Sequence, residues 1–253
     1  MSELPLVGVP GGRVEYEDVP GDPARAALLF LHEGLGSVRL WRGFHHRLAA
    51  ATGRRAVAFS RLGHGGSDVP TGKRTPRYMH DEAGEVVPAV RAALGLEHVV
   101  LVGHSDGASI ALLHAADSRV DGLVVLAPHV FVEEVGLRGI EEARRAYTEG
   151  DLRARMARHH RDPDVTFWNW NDGWLDDAFR EWDIRSELTG ISAPVLGVQG
   201  TQDPYGTVVH VEAVRDRASG PVTLEVLDCG HAPHLERADQ VETAVAAFLR
   251  TLP

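Results

Sequence analysis

The sequence predicts an α/β fold built on a mostly parallel sheet, and three observations lead there. Short apolar runs such as Ala26–Leu31, Ala56–Phe59 and Gly122–Ala127 lack polar alternation, which suits strands buried on both faces. Helix-patterned stretches separate these runs. From His98 to Ala127 the order is strand, glycine-rich turn, small-residue helix and strand, which is a βαβ unit.

Taken in order, Leu6–Val9 and Arg13–Tyr16 read as a hairpin around Gly11-Gly12, and Pro20-Gly21-Asp22-Pro23 breaks the chain before Ala26–Leu31. Trp41–Ala51 is patterned as a helix stopped by Gly53, and Ala56–Phe59 is the next strand. A helix from near Met79 to Leu94 ends at Gly95 and gives way to the β-prone His98–Val102. Ala108–Ala116 is a helix, Gly122–Ala127 a strand. Residues 128–191 then change character, with charged helical stretches (Glu133-Glu134, Glu141-Glu142, Arg144-Arg145, Arg153–Arg161) and an aromatic-rich Phe167–Trp174. Pro194–Val198 resumes the buried strands, Val222–Leu227 is the last, and Ala238–Leu252 is a closing amphipathic helix with Val241, Val245, Phe248 and Leu249 on one side. The expected division is a core of 1–127 and 192–253 with an inserted helical lobe at 128–191.

Composition narrows the function. The chain has 253 residues, 43% hydrophobic and 25% charged, enough to bury one sizeable core. A net charge of −10 offers no basic face for nucleic acid and no attraction to an anionic membrane, so a small-molecule partner is expected. The single Cys229 cannot form an intrachain disulfide and reads as a packing residue. Met1–Pro5 has neither a basic nor a long apolar leader region, and a cytoplasmic protein, monomer or homodimer, is the expectation.

The chemistry is concentrated at Gly103-His104-Ser105-Asp106-Gly107, between an apolar strand and a small-residue helix. That setting is a nucleophile elbow: the serine sits in a strained turn at a helix N-terminus, and neighbouring backbone leaves no room for side chains at the two glycines. A serine hydroxyl needs a base and an orienting acid. Asp203, in the turn after Pro194–Val198, and His231, after the last strand, emerge at the same sheet edge in the chain order Ser, Asp, His. His234 is the rival base and Asp228 the rival acid. The backbone N–H groups of Gly34 and Asp106 are the expected oxyanion hole. His32-Glu33 lacks a second histidine at metalloprotease spacing, and neither a metal nor a cofactor is expected. His45-His46 and His159-His160 read as solvated helix faces. The aromatic residues of 128–191 read mainly as that lobe's own core, with Trp168, Trp170 and Trp174, together with Leu35, as candidates for a pocket wall.

These residues together resemble the α/β-hydrolase superfamily. His-Glu-Gly-Leu-Gly at 32–36 is similar to its His-Gly-x-x-Gly loop and Ser60–Ser67 to its Asp-x-x-Gly-x-Gly-x-Ser loop, with Glu33 and Ser60 replacing the common glycine and aspartate. Asp106 is also unusual after the nucleophile, where it either repels anions or joins a polar network. The resemblance implies an eight-stranded, mostly parallel sheet with helices on both faces and a helical cap at 128–191. It implies a serine hydrolase acting on a small carboxylic ester, thioester or lactone. The alternatives it leaves are carbon–carbon bond hydrolysis of a dicarbonyl or ring-cleavage product, a proline iminopeptidase in which Glu133 or Glu134 meets the substrate amine, and a non-catalytic small-molecule receptor.

Overall fold

The computed structural model describes residues 4–70, 72 and 74–252; Met1–Glu3 of the segment read for a leader lie outside the described residues. Among the described residues no helix is long and apolar enough to cross a membrane. Eight strands form one sheet: β1 (Leu6–Val9), β2 (Gly12–Val19), β3 (Ala27–Leu31), β4 (Ala56–Phe59), β5 (Val99–His104), β6 (Gly122–Leu126), β7 (Val195–Gly200) and β8 (Val222–Leu227), in the spatial order β1-β2-β4-β3-β5-β6-β7-β8. β1 and β2 form the predicted hairpin, β2 also runs antiparallel to β4, and β3 to β8 are parallel. β2 is longer than expected because Tyr16–Val19 continue to pair with Phe59–Ala56.

Side chains leave a strand on alternate faces, so each apolar run feeds two cores. Leu29, Leu31, Val57, Phe59, Leu101 and Val125 pack on one face, against α2 (Tyr78–Asp81), α3 (Val87–Ala93) and α4 (Asp106–Asp117). Leu28, Phe30, Ala58, Val100, Val102 and Leu126 pack on the other, against α1 (Phe44–Thr52) and the closing helix. This is why those runs show no polar alternation. β8 is an edge strand with Val226 exposed, unlike the fully buried β3 to β7.

Several boundaries differ from the sequence reading for physical reasons. The helix expected over Trp41–Ala51 is a 3-10 turn, Val38–Trp41, followed by α1, because Arg42 and Gly43 both take left-handed backbone. Between α2 and α3 the chain widens into a π turn at Glu82–Val86, just before Pro88, whose ring nitrogen cannot donate the next helical hydrogen bond. His234 lies in a short α9 (Pro233–Glu236), and non-helical backbone at Arg237 separates this from α10 (Ala238–Arg250). α8 (Val209–Arg217) had no strong sequence signal, burying only His210, Val211 and Val214.

Residues 128–191 hold α5 (Glu134–Thr148), α6 (Leu152–Met156) and α7 (Pro163–Trp174). The charged pattern becomes one exposed face of α5, while Leu137, Ile140, Ala143 and Tyr147 are buried. Tyr147 stacks on Phe167 of α7 at 3.7 Å. Asp162 caps α7 by accepting from the Val165 N–H at 2.9 Å, with Pro163 at the first turn. The segment enters and leaves at neighbouring points, bridged at Phe131 and Asp183, where the Ile184 N–H donates to the Val130 carbonyl at 2.8 Å.

Candidate active site

Ser105 stands at the C-terminal end of β5 with φ 53° and ψ −121°, a strained conformation for a residue with a side chain. Its N–H donates to the Leu126 carbonyl (2.9 Å) and its carbonyl accepts from Ala108 (2.9 Å), so the surrounding backbone fixes the turn. The flanking glycines are dictated by space: a Cβ on Gly103 would sit 2.5 Å from Ala108 Cα, and one on Gly107 would run into the Leu31 carbonyl of β3. Asp106 opens α4, so the N–H groups of its first turn face the serine.

The loops after β7 and β8 bring Asp203 and His231 together. His231 Nδ1–H donates to Asp203 Oδ2 at 2.7 Å, which leaves Nε2 as the ring's second functional atom. Asp203 also accepts from Gln199 Nε2 (2.8 Å) and the Tyr205 N–H (2.8 Å). Burial pushes its carboxyl up, but the hydrogen bond and charge of His231 outweigh that and hold it below its ordinary value. The rivals lie elsewhere. His234 is packed among Trp41, Phe44 and His104, its pKa pushed by burial down to about 3. Asp228 is exposed and accepts from Gln202 at 2.6 Å.

Ser105, His231, Gly34 and Asp106 all line one cavity of about 90 Å³. Its walls add Leu35, Trp170 and Trp174, the wall candidates of the sequence reading, and Glu33, His129, Gly136, Ile140 and Tyr205, which that reading did not place on a wall. His129 and Tyr205 follow the ends of β6 and β7, so their position at the strand ends was the available signal; Gly136 and Ile140 come from α5, whose orientation no motif encodes. Trp168 is corrected: it sits away from the cavity, half-buried against Tyr147 and Phe167 with the Arg144 guanidinium 5.6 Å over its ring. Trp170 presses so closely on Gly34 that a Cβ there would collide with its Nε1.

The three departures from the family pattern have local explanations. Ser60 donates to the buried Glu15 of β2 at 2.7 Å, so a neighbouring strand supplies the carboxylate its own loop lacks. Asp106 turns its carboxylate into a buried network, accepting from Tyr78 Oη (2.7 Å) and Trp174 Nε1 (3.2 Å), with Arg61 at 3.8 Å. Glu33 lies 3.4 Å from His104 Nδ1. In the same loop, His32 accepts from the Arg61 N–H (2.9 Å) and donates from Nδ1 to the Glu33 carbonyl (2.7 Å), and burial keeps it neutral.

The paired histidines are also corrected. His160 is buried and neutral, its pKa pushed to about 4, and it clamps two loops by accepting from the Gly65 N–H (3.1 Å) and donating to the Leu35 carbonyl (3.0 Å). His45 is buried as well, and it and His46 converge on Glu17 at 2.9 and 3.1 Å. Among the described residues this trio has metal-like spacing, within 4.8 Å, but both histidines already bond to Glu17 through Nε2 and none of the three lines the cavity. Glu133 is held by His210 and Thr207, and the exposed Glu134 approaches Arg180, so neither lines the cavity.

The model of the alpha/beta hydrolase family matches residues 28–244. A proline iminopeptidase of Lactobacillus delbrueckii subsp. bulgaricus is 31% identical over 99 residues, 39% of this chain; the match spans about a third (34%) of that relative's length. The enol-lactonase of Burkholderia xenovorans superposes with a TM-score of 0.75 at 22% identity, covering 97% of this chain and 100% of that one. An N-acyl homoserine lactone degrading enzyme superposes with a TM-score of 0.74 at 25% identity, covering 96% and 100%.

Proposed function

The chain belongs to the alpha/beta hydrolase family, and we propose that within it the protein is a serine hydrolase cleaving a small carboxylic ester, thioester or lactone. The observation that carries this reading is the 2.7 Å contact of His231 with Asp203 on the same cavity as the strained Ser105. In the proposed reaction Ser105 Oγ attacks the carbonyl carbon as His231 Nε2 takes its proton. Asp203 holds the imidazole tautomer and balances the imidazolium. The N–H groups of Gly34 and Asp106 bind the oxyanion. Collapse expels the alcohol or thiol with the proton from His231, and water, activated by the same imidazole, then releases the acid.

Residues 128–191 act in this reading as the cap, since α5 and α7 contribute Gly136, Ile140, Trp170 and Trp174 to the wall facing Ser105. The cavity is smaller than the roughly 150 Å³ apolar void that takes up benzene, which favours a short acyl group. Both carboxylates on the wall are already paired, Asp106 with Tyr78 and Trp174 and Glu33 with His104. That favours an uncharged substrate over the amine of an iminopeptidase. Soluble, cytoplasmic action on a small molecule, without metal or cofactor, completes the proposal.

The test is labelling by a fluorophosphonate, with turnover of p-nitrophenyl esters of rising chain length, proline p-nitroanilide and a β-diketone. Wild type should be labelled and should prefer short esters, and Ser105→Ala and His231→Ala should lose labelling while remaining folded. Undiminished labelling of Ser105→Ala would sink the assignment; preference for the anilide or the diketone would move it to peptide or carbon–carbon bond cleavage.

A further inference from the structure

Glu33 and His104 form a contact that the proposed reaction leaves unused. His104 immediately precedes Ser105 and is almost wholly buried. Its Nε2–H donates to the main-chain carbonyl of His231 at 2.7 Å, and its Nδ1 faces Glu33 Oε2 at 3.4 Å. The ring lies between those of His231 (5.0 Å) and His234 (4.8 Å), the latter neutral. Glu33 occupies space that Gly36 leaves open: a Cβ on Gly36 would stand 2.5 Å from Glu33 Oε2. Glutamate at 33 therefore comes with glycine at 36, and together they bring a carboxylate to the residue before the nucleophile.

We propose that Glu33 and His104 are positioning residues that set the orientation of His231 by holding its main-chain carbonyl, tying the oxyanion loop, the nucleophile turn and the histidine loop into one unit. The inference rests on His231 being the base. Asp203 fixes the imidazole from the side of its Nδ1, but the Cα of His231 belongs to a loop between β8 and the short α9. The bond from His104 pins that loop at the residue that must point at Ser105. Glu33 supports the donor: a charged His104 offers N–H groups to both partners, and a neutral ring would turn a lone pair toward either Glu33 or the carbonyl. The two groups favour their charged forms mutually. Burial opposes charge on each, yet the contact holds the Glu33 carboxyl well below and the His104 imidazole above their ordinary values.

A misplacement near 1 Å costs on the order of 10²-fold in rate, and this sets the expected effect. In the whole chain, kcat for p-nitrophenyl acetate should fall about 10- to 100-fold in Glu33→Ala and in His104→Leu. KM should stay within about threefold, after normalising for sites titrated by fluorophosphonate. His104→Gln, whose side-chain amide can still donate to the His231 carbonyl, should recover most of the loss. The far-downfield proton signal of the His231–Asp203 bond should shift or broaden in His104→Leu and return in His104→Gln. Wild-type kcat and an unmoved signal in folded His104→Leu, or the same in Glu33→Ala should the leucine variant not fold, would overturn the pair while leaving the triad standing. Labelling that persists in Ser105→Ala would instead remove the base reading, and the pair with it.

Discussion

The two walls of the cavity are built by different means. The wall made by the strand-end loops is fixed by main-chain hydrogen bonds, buried histidines and glycines with no room for a Cβ, as at Ser105, His32 and Gly107. The wall made by α5 and α7 is fixed by side-chain packing, such as Tyr147 on Phe167, and by exposed ion pairs such as Arg144–Asp172. Backbone-defined geometry tolerates almost no substitution, whereas packed helices accept changes of shape at modest cost. On the proposed reading, the difference places chemistry on the first wall and substrate choice on the second.

Substitutions can break that contrast, and the largest effect is expected at Asp203. Asp203→Asn should lower kcat for p-nitrophenyl acetate by about 10⁴-fold, because the amide favours the wrong imidazole tautomer. A loss under tenfold would mean that the acid is not needed there. Gly107→Ala should cost roughly 3 kcal/mol or more, read as the urea midpoint, since the methyl meets β3 backbone that cannot yield.

Acid tests the same wall. His234 and His160 have pKa values pushed to about 3 and about 4 in the fold, against about 6.5 unfolded. The unfolded chain therefore binds protons the fold refuses. The stability these rings allow is complete above pH 6.5 and is lost as pH falls toward the folded values, about 2 kcal/mol for each ring by pH 5. Urea midpoints at pH 7 and pH 5 should show it, with a shallower decline in His234→Leu.

Smaller effects belong to the helical wall. Trp170→Leu should leave the best short ester within a few-fold and raise kcat/KM for longer acyl chains about tenfold; an unchanged chain-length profile would take α7 out of substrate selection. Arg153→Ala breaks an exposed pair with Asp164 and should leave the thermal midpoint almost unmoved.

The sequence was legible where backbone imposes residue type. The fully buried strands declared themselves through unbroken apolar runs, and Gly103 and Gly107 through the spacing their close contacts require. Asp203 and His231 could be picked out because strand ends in a parallel sheet converge on one edge. Trp168 and Trp170 shared the same signal and parted, because two positions along a helix turn the side chain to another face. Glu15 answering Ser60, and His160 reaching Leu35, depend on contacts far apart in the chain that no local pattern records.

Two of the chain's five tryptophans, Trp170 and Trp174, face the cavity, while Trp168 stands outside it in the same helix. Both indole rings line the same cavity as Ser105. Filling of the cavity should therefore change the intrinsic emission of the unlabelled protein, and a spectrum recorded during titration with a candidate ligand should follow it.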